Sequence, residues 1–172
     1  MANNGNISIK FDKDEIRRRL LEDMRKDCER LVKEALNTST YLNQTGNLAS
    51  SYGAAVYENG VYLEETLATY DFNPTKPRDW YGEPKSGQDE MRNYFRDYKP
   101  RTKGFTIVLV AAMPYAEVLE KGSAGLHHKY KVISGAYSLL QDLSEKYSGK
   151  RGYKKYKWGQ GVRATISQIN GK

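Results

Sequence analysis

Apolar residues in the first part of the chain recur at spacings of three and four. Ile16, Leu20, Met24, Cys28, Leu31 and Ala35 form one stripe, and charged residues fill the opposite face. That is the pattern of an amphipathic helix laid on a core. Asp12, with Glu15 three residues on, has the form of a capping box, so the helix is predicted over about 13–37. Next comes QTGNLASSY, residues 44–52, in which small hydroxyl residues follow Thr-Gly-Asn-Leu. Gly46 admits a positive φ, and Thr45 or Asn47 can accept hydrogen bonds from free amides of a following turn, which predicts a chain reversal. Two β-rich arms then flank Asn59-Gly60, a dipeptide suited to the two positive φ angles of a type I′ turn. Val56 is expected roughly opposite Tyr62 or Val61.

The pattern breaks at 71–103, where prolines at 74, 77, 84 and 100 accompany Trp80, Tyr81 and dense charge. This reads as an inserted arm with one short helix at about 88–98. GFTIVLVAAM, 104–113, is nearly all apolar and is predicted as the central strand. In PYAEVLEKG, 114–122, Pro114 suits the first turn of a helix and Gly122 its end. A second long helix, about 131–147, carries the stripe Ile133, Ala136, Tyr137, Leu140, Leu143 and Tyr147. The elements sum to an α+β fold: a long N-terminal helix, a mostly antiparallel sheet with a β-hairpin, and a second long helix. A single domain over 1–149 is expected, followed by an extended basic tail at 150–172.

Charge sharpens the last division. Of the net +7, seven basic residues lie from Lys150 to the end with no acidic ones, so residues 1–149 are neutral. Lys150, Arg151, Lys154, Lys155 and Lys157 are interleaved with Tyr153, Tyr156 and Trp158 ahead of Arg163. Cations neutralise phosphates and aromatic rings stack on bases, which suits single-stranded nucleic acid. The pattern fits equally an arm that docks on an acidic protein patch. Glycines at 149, 152, 159 and 161 predict that it stays mobile or extended until bound.

Composition adds less. A chain of 172 residues suffices for one domain with a core. Fourteen tyrosines favour surfaces that are wet at one time and covered at another. The single cysteine, Cys28, excludes an internal disulfide, and no apolar run approaches the ~20 residues of a membrane span. MANNGNISIKFDKDE lacks a basic leader followed by an apolar stretch, so no secretion signal is expected and the protein is expected to be cytoplasmic where it is made. His127 and His128 are adjacent and do not suggest converging ligands. No GxSxG elbow or glycine-rich phosphate loop occurs. The expectation is a protein without catalysis, metal or cofactor.

Two segments, QTGNLASSYGAAVYENG and VLVAAMPYAEVLEKG, together resemble the signature of the tailed-bacteriophage head–tail joining or tail-completion family (neck ring, minor tail component). Thr45, Gly46, Leu48 and Ser51 stand at its TGxLxxS turn, and Tyr115, Ala116, Glu120 and Gly122 at its YAxxxExG helix. The order of elements agrees over about 12–147. Ala49 stands where the family usually carries Arg or Lys. The resemblance implies a structural virion protein in a six- or twelve-fold homo-oligomeric ring at the neck. Portal, neck or tail proteins would be its neighbours and DNA would pass through the lumen. It implies assembly in the host cytoplasm and no membrane. The alternative from composition is a small nucleic-acid-binding protein that uses the basic C-terminal segment.

Overall fold

A computed structural model describes residues 12–77, 86–126, 128–150, 152, 154–158 and 161–169. The first helix, α1 (Lys13–Asn37), starts where Asp12 accepts hydrogen bonds from the Asp14 and Glu15 amides at 3.0 and 3.2 Å. The reciprocal half of the capping box is missing, because the Glu15 carboxylate is taken by Arg18 and Arg19. A short helix α2 (Asn47–Ser50) leads into the hairpin β1 (Tyr52–Glu58) and β2 (Val61–Thr69). Helix α3 (Gly87–Asp97), strand β3 (Phe105–Ala111) and helix α4 (Ala116–Lys121) follow. A 3₁₀ turn at Ser134–Ala136 runs into α5 (Tyr137–Ser148). The chain then forms β4 (Lys154–Trp158) and β5 (Gly161–Ile169).

The five strands form one antiparallel sheet in the order β2-β1-β3-β5-β4. The fold is α+β, with the apolar strand 105–111 at its centre as its composition predicts. Alternation sends Tyr52, Ala54, Val56, Ile107, Leu109 and Ala164 towards α1 and α5. The other face of the sheet sends Ala55, Tyr57, Val108 and Val110 towards α3. Helices on both faces explain why β1 and β3 bury nearly every residue.

Several expectations are corrected in detail. The buried stripe of α1 is rotated: Leu21 and Val32 are buried, whereas Ile16 is exposed. Asn59 and Gly60 have φ of 51° and 83°, as the type I′ turn requires, but Glu58 pairs with Val61 and Val56 with Leu63. The arm is not wholly an excursion, since α3 within it seals the second sheet face through Met91, Tyr94 and Phe95. Gly53 makes this possible: a Cβ there would meet the Met91 sulfur at 2.7 Å. Within the basic C-terminal segment, residues 154–158 and 161–169 are extended, but inside the sheet. Gly161–Ile169 pairs with β3 along its length, so the segment is part of the domain. The expected mobile tail overlooked a central strand that would otherwise be left with an open edge.

Tyrosine also departs from expectation. Tyr52 and Tyr57 are fully buried, and their hydroxyls donate to the carbonyls of Val132 and Phe95 at 2.8 and 2.7 Å. Tyr57, Tyr62, Tyr94, Phe95 and Tyr98 form a ring-on-ring cluster between the sheet and α3. Their apolar bodies build the thin second layer, while the Tyr57 hydroxyl donates to the Phe95 carbonyl and the Tyr94 hydroxyl accepts from Arg163.

Candidate assembly surface

The two motif segments meet at one end of the sheet. Gly46 has φ +72° and starts α2. Its carbonyl accepts the Ser50 hydroxyl at 2.7 Å, and the Leu48 carbonyl accepts the Ser51 hydroxyl at 2.7 Å. Ser51 then reaches the end of β3: its carbonyl accepts the Ala112 amide at 3.1 Å, and its hydroxyl the Met113 amide at 3.3 Å. Thr45 and Leu48 are buried in this corner. The hydroxyl run at 50–51 is therefore a clasp between the start of β1 and the exit of β3. A side chain at position 46 would be strained by the backbone, and its Cβ would lie 3.0 Å from the Phe72 ring. Gly46→Val is expected to cost about 2 kcal/mol and to lower Tm by roughly 4–8 °C. An unchanged melting curve would contradict this turn geometry.

The second motif continues the corner. Glu120 on α4 accepts amides from Val132 and Ile133 at 2.8 Å and from Ser134 at 3.0 Å, capping the start of the 3₁₀ turn and α5. Gly122, with φ +77°, ends α4 and turns the chain past Lys129. Tyr115 at the start of α4 is 41% exposed, and Val118 is exposed beside it. Nearby, Tyr41 lies within electrostatic reach of Tyr115 and Tyr70, and burial pushes its hydroxyl up to about 12. Leu42, on the same loop, is 80% exposed. A groove of about 480 Å³ opens between α1, α2 and the end of β2, lined by Val32, Leu36, Tyr41, Ala49, Ala68 and Phe72. Buried clasp and exposed apolar rim thus occupy one corner.

The basic candidates divide. Lys150 is exposed. Lys154, Lys155, Tyr156, Lys157 and Trp158 lie on β4, an outer strand of the sheet. Arg163 is engaged within the domain: it donates to the Tyr94 hydroxyl at 2.9 Å and its guanidinium stacks 4.2 Å over the Tyr98 ring. Trp80, Tyr81, Arg151, Tyr153 and His127 lie outside the described residues.

Sequence reasoning missed Asp27. It is buried on α1, and its carboxylate accepts from Arg30 at 2.7 Å, Lys146 at 2.7 Å and the Tyr147 hydroxyl at 2.6 Å. Burial pushes this carboxyl up, and the hydrogen bonds from Lys146, Tyr147 and Arg30 outweigh it, so it sits below its ordinary range. The signal was a charged residue on the flank of an apolar stripe, a position that needs partners when covered. Cys28 beside it is fully buried, and burial, then Asp27 and Glu29, raise its thiol far above the ordinary range.

Among the described residues no group of three or more His, Cys, Asp or Glu is placed to hold a metal, and no helix is long and apolar enough to cross a membrane. No protein-family model, curated protein or solved structure matches the chain.

Proposed function

We propose that the protein is a structural virion component of a tailed bacteriophage, part of a ring in the neck through which DNA passes. The observation that carries this reading is the meeting of the two motif segments. Ser51 of the first holds Ala112 and Met113 of the second at the exit from β3, and Glu120 further along the second holds the start of α5. A braced corner with Leu42, Tyr70, Tyr115 and Val118 at its surface offers the stiff, partly apolar contact that a ring subunit presents to its neighbours. The inward engagement of Arg163 weakens the rival reading of a nucleic-acid-binding arm, because one of its cations holds the domain together.

Electron microscopy of particles made without this gene product tests the proposal. The expected result is filled heads without tails, or heads that leak DNA. Normal infectious particles, or failure of replication with no particles at all, would overturn it.

A further inference from the structure

The strand order leaves β2 and β4 as the two outer strands, and the sequence charges them oppositely. Residues 38–75 contain Glu58, Glu64, Glu65 and Asp71 and not one Lys or Arg; residues 150–172 contain seven cations and no acid. Some of these charges are spent internally. Glu58 is paired with Arg17, and Arg163 is engaged by Tyr94 and Tyr98. Arg18 and Arg25, which with Arg17 flank Glu65, are held by Glu15 and Glu29. Glu64 and Glu65 stay exposed at one side of the sheet, and Lys154, Lys155 and Lys157 belong to the strand at the other.

The shape of β2 matters as well. Between Val56↔Leu63 and Ala54↔Ala68, four residues of β2 stand against one of β1. The Thr66 hydroxyl fills the gap by accepting the Val56 amide at 3.1 Å. This bulge carries Glu64 and Glu65 and interrupts the outer ladder, so a foreign strand cannot extend the sheet continuously. Contact there has to be made by side chains. Register places positions 155 and 157 opposite Ala164 and Val162, and Ala164 faces the α1 and α5 layer. Glu65 lies beside α1.

We infer that copies of this chain associate head to tail, the basic β4 side of one against the acidic β2 bulge of the next. Two β2 sides repel each other, as do two β4 sides, so the charges select a heterologous contact, the kind that closes into rings. The inference rests on the ring reading and assigns the surfaces that build it.

The test uses two full-length variants, E64K/E65K and K155E/K157E, with sedimentation velocity at about 0.1 M salt and circular dichroism as the folding control. The wild-type chain is expected to self-associate, and more weakly at 1 M salt. Each variant alone then carries two like-charged sides and loses association by about tenfold or more. Mixing the two restores it, because each variant offers the side that the other now needs. Assembly unchanged in both variants would overturn the edge assignment and leave the ring reading standing. Failure of the mixture to recover overturns the assignment too. A wild-type chain that stays monomeric at every concentration overturns both the assignment and its premise.

Discussion

A chain ending at Ser148 is expected not to fold. Such a truncation removes β4 and β5 and leaves β3, the central strand, with an unpaired edge. Six register positions between β3 and β5 would be lost, from Phe105↔Ile169 to Ala111↔Val162. At about 1 kcal/mol for each net hydrogen bond, this alone approaches the 5–15 kcal/mol by which a domain is ordinarily stable. The loss of Ala164 against the α1 layer, and of the Arg163 contact with Tyr94 and Tyr98, adds to it. The truncated chain should show no cooperative thermal transition and should aggregate through the exposed apolar edge. A sharp transition near that of the full chain would mean that the C-terminal segment is dispensable to the domain.

Asp27→Ala is expected to destabilise the protein by roughly 3 kcal/mol, the scale for removing one partner of a buried charged network. The value sits at the low end because Lys146 and Arg30 both reach solvent once released. The same group sets a pH dependence. Its folded pKa lies below the ordinary 3.8, so the unfolded chain binds the proton more readily. The stabilisation is therefore complete above about pH 4 and is lost as the pH falls through the folded value. Urea unfolding at pH 7 and pH 3 checks this: the difference between wild type and Asp27→Ala should shrink at the lower pH. An equal difference at both would show that folding does not lower the pKa of Asp27.

Legibility followed the physics of each element. The α1 helix, the Asn59-Gly60 turn and the strand 105–111 carry strong local signals, in period, φ requirement and continuous apolarity, and each was readable within a residue or two. The role of Gly46 was readable because glycine beside polar turn residues suits a left-handed position. The fate of residues 150–172 was not. Lys, Tyr and Trp in alternation describe a solvated arm and an outer strand equally well, and only the unpaired edge of β3 decides between them. Asp27 was missed, and the inward engagement of Arg163 was not foreseen, for a related reason. Charged residues are assigned to solvent by default, and the partners that permit their burial lie 119 and 69 positions away in sequence. The clasp of Ser51 on Met113 and the cap of Glu120 on residues 132–134 likewise depend on distant backbone amides that no local pattern reveals.

The central claim is a place in the particle, and labelling tests it most directly. Intact phage particles carrying the chain tagged at its N-terminus, with gold bound to the tag, would be imaged by electron microscopy. The account predicts gold confined to the junction of head and tail. Gold on the capsid shell or along the tail tube, or particles that contain none of the chain, would contradict it.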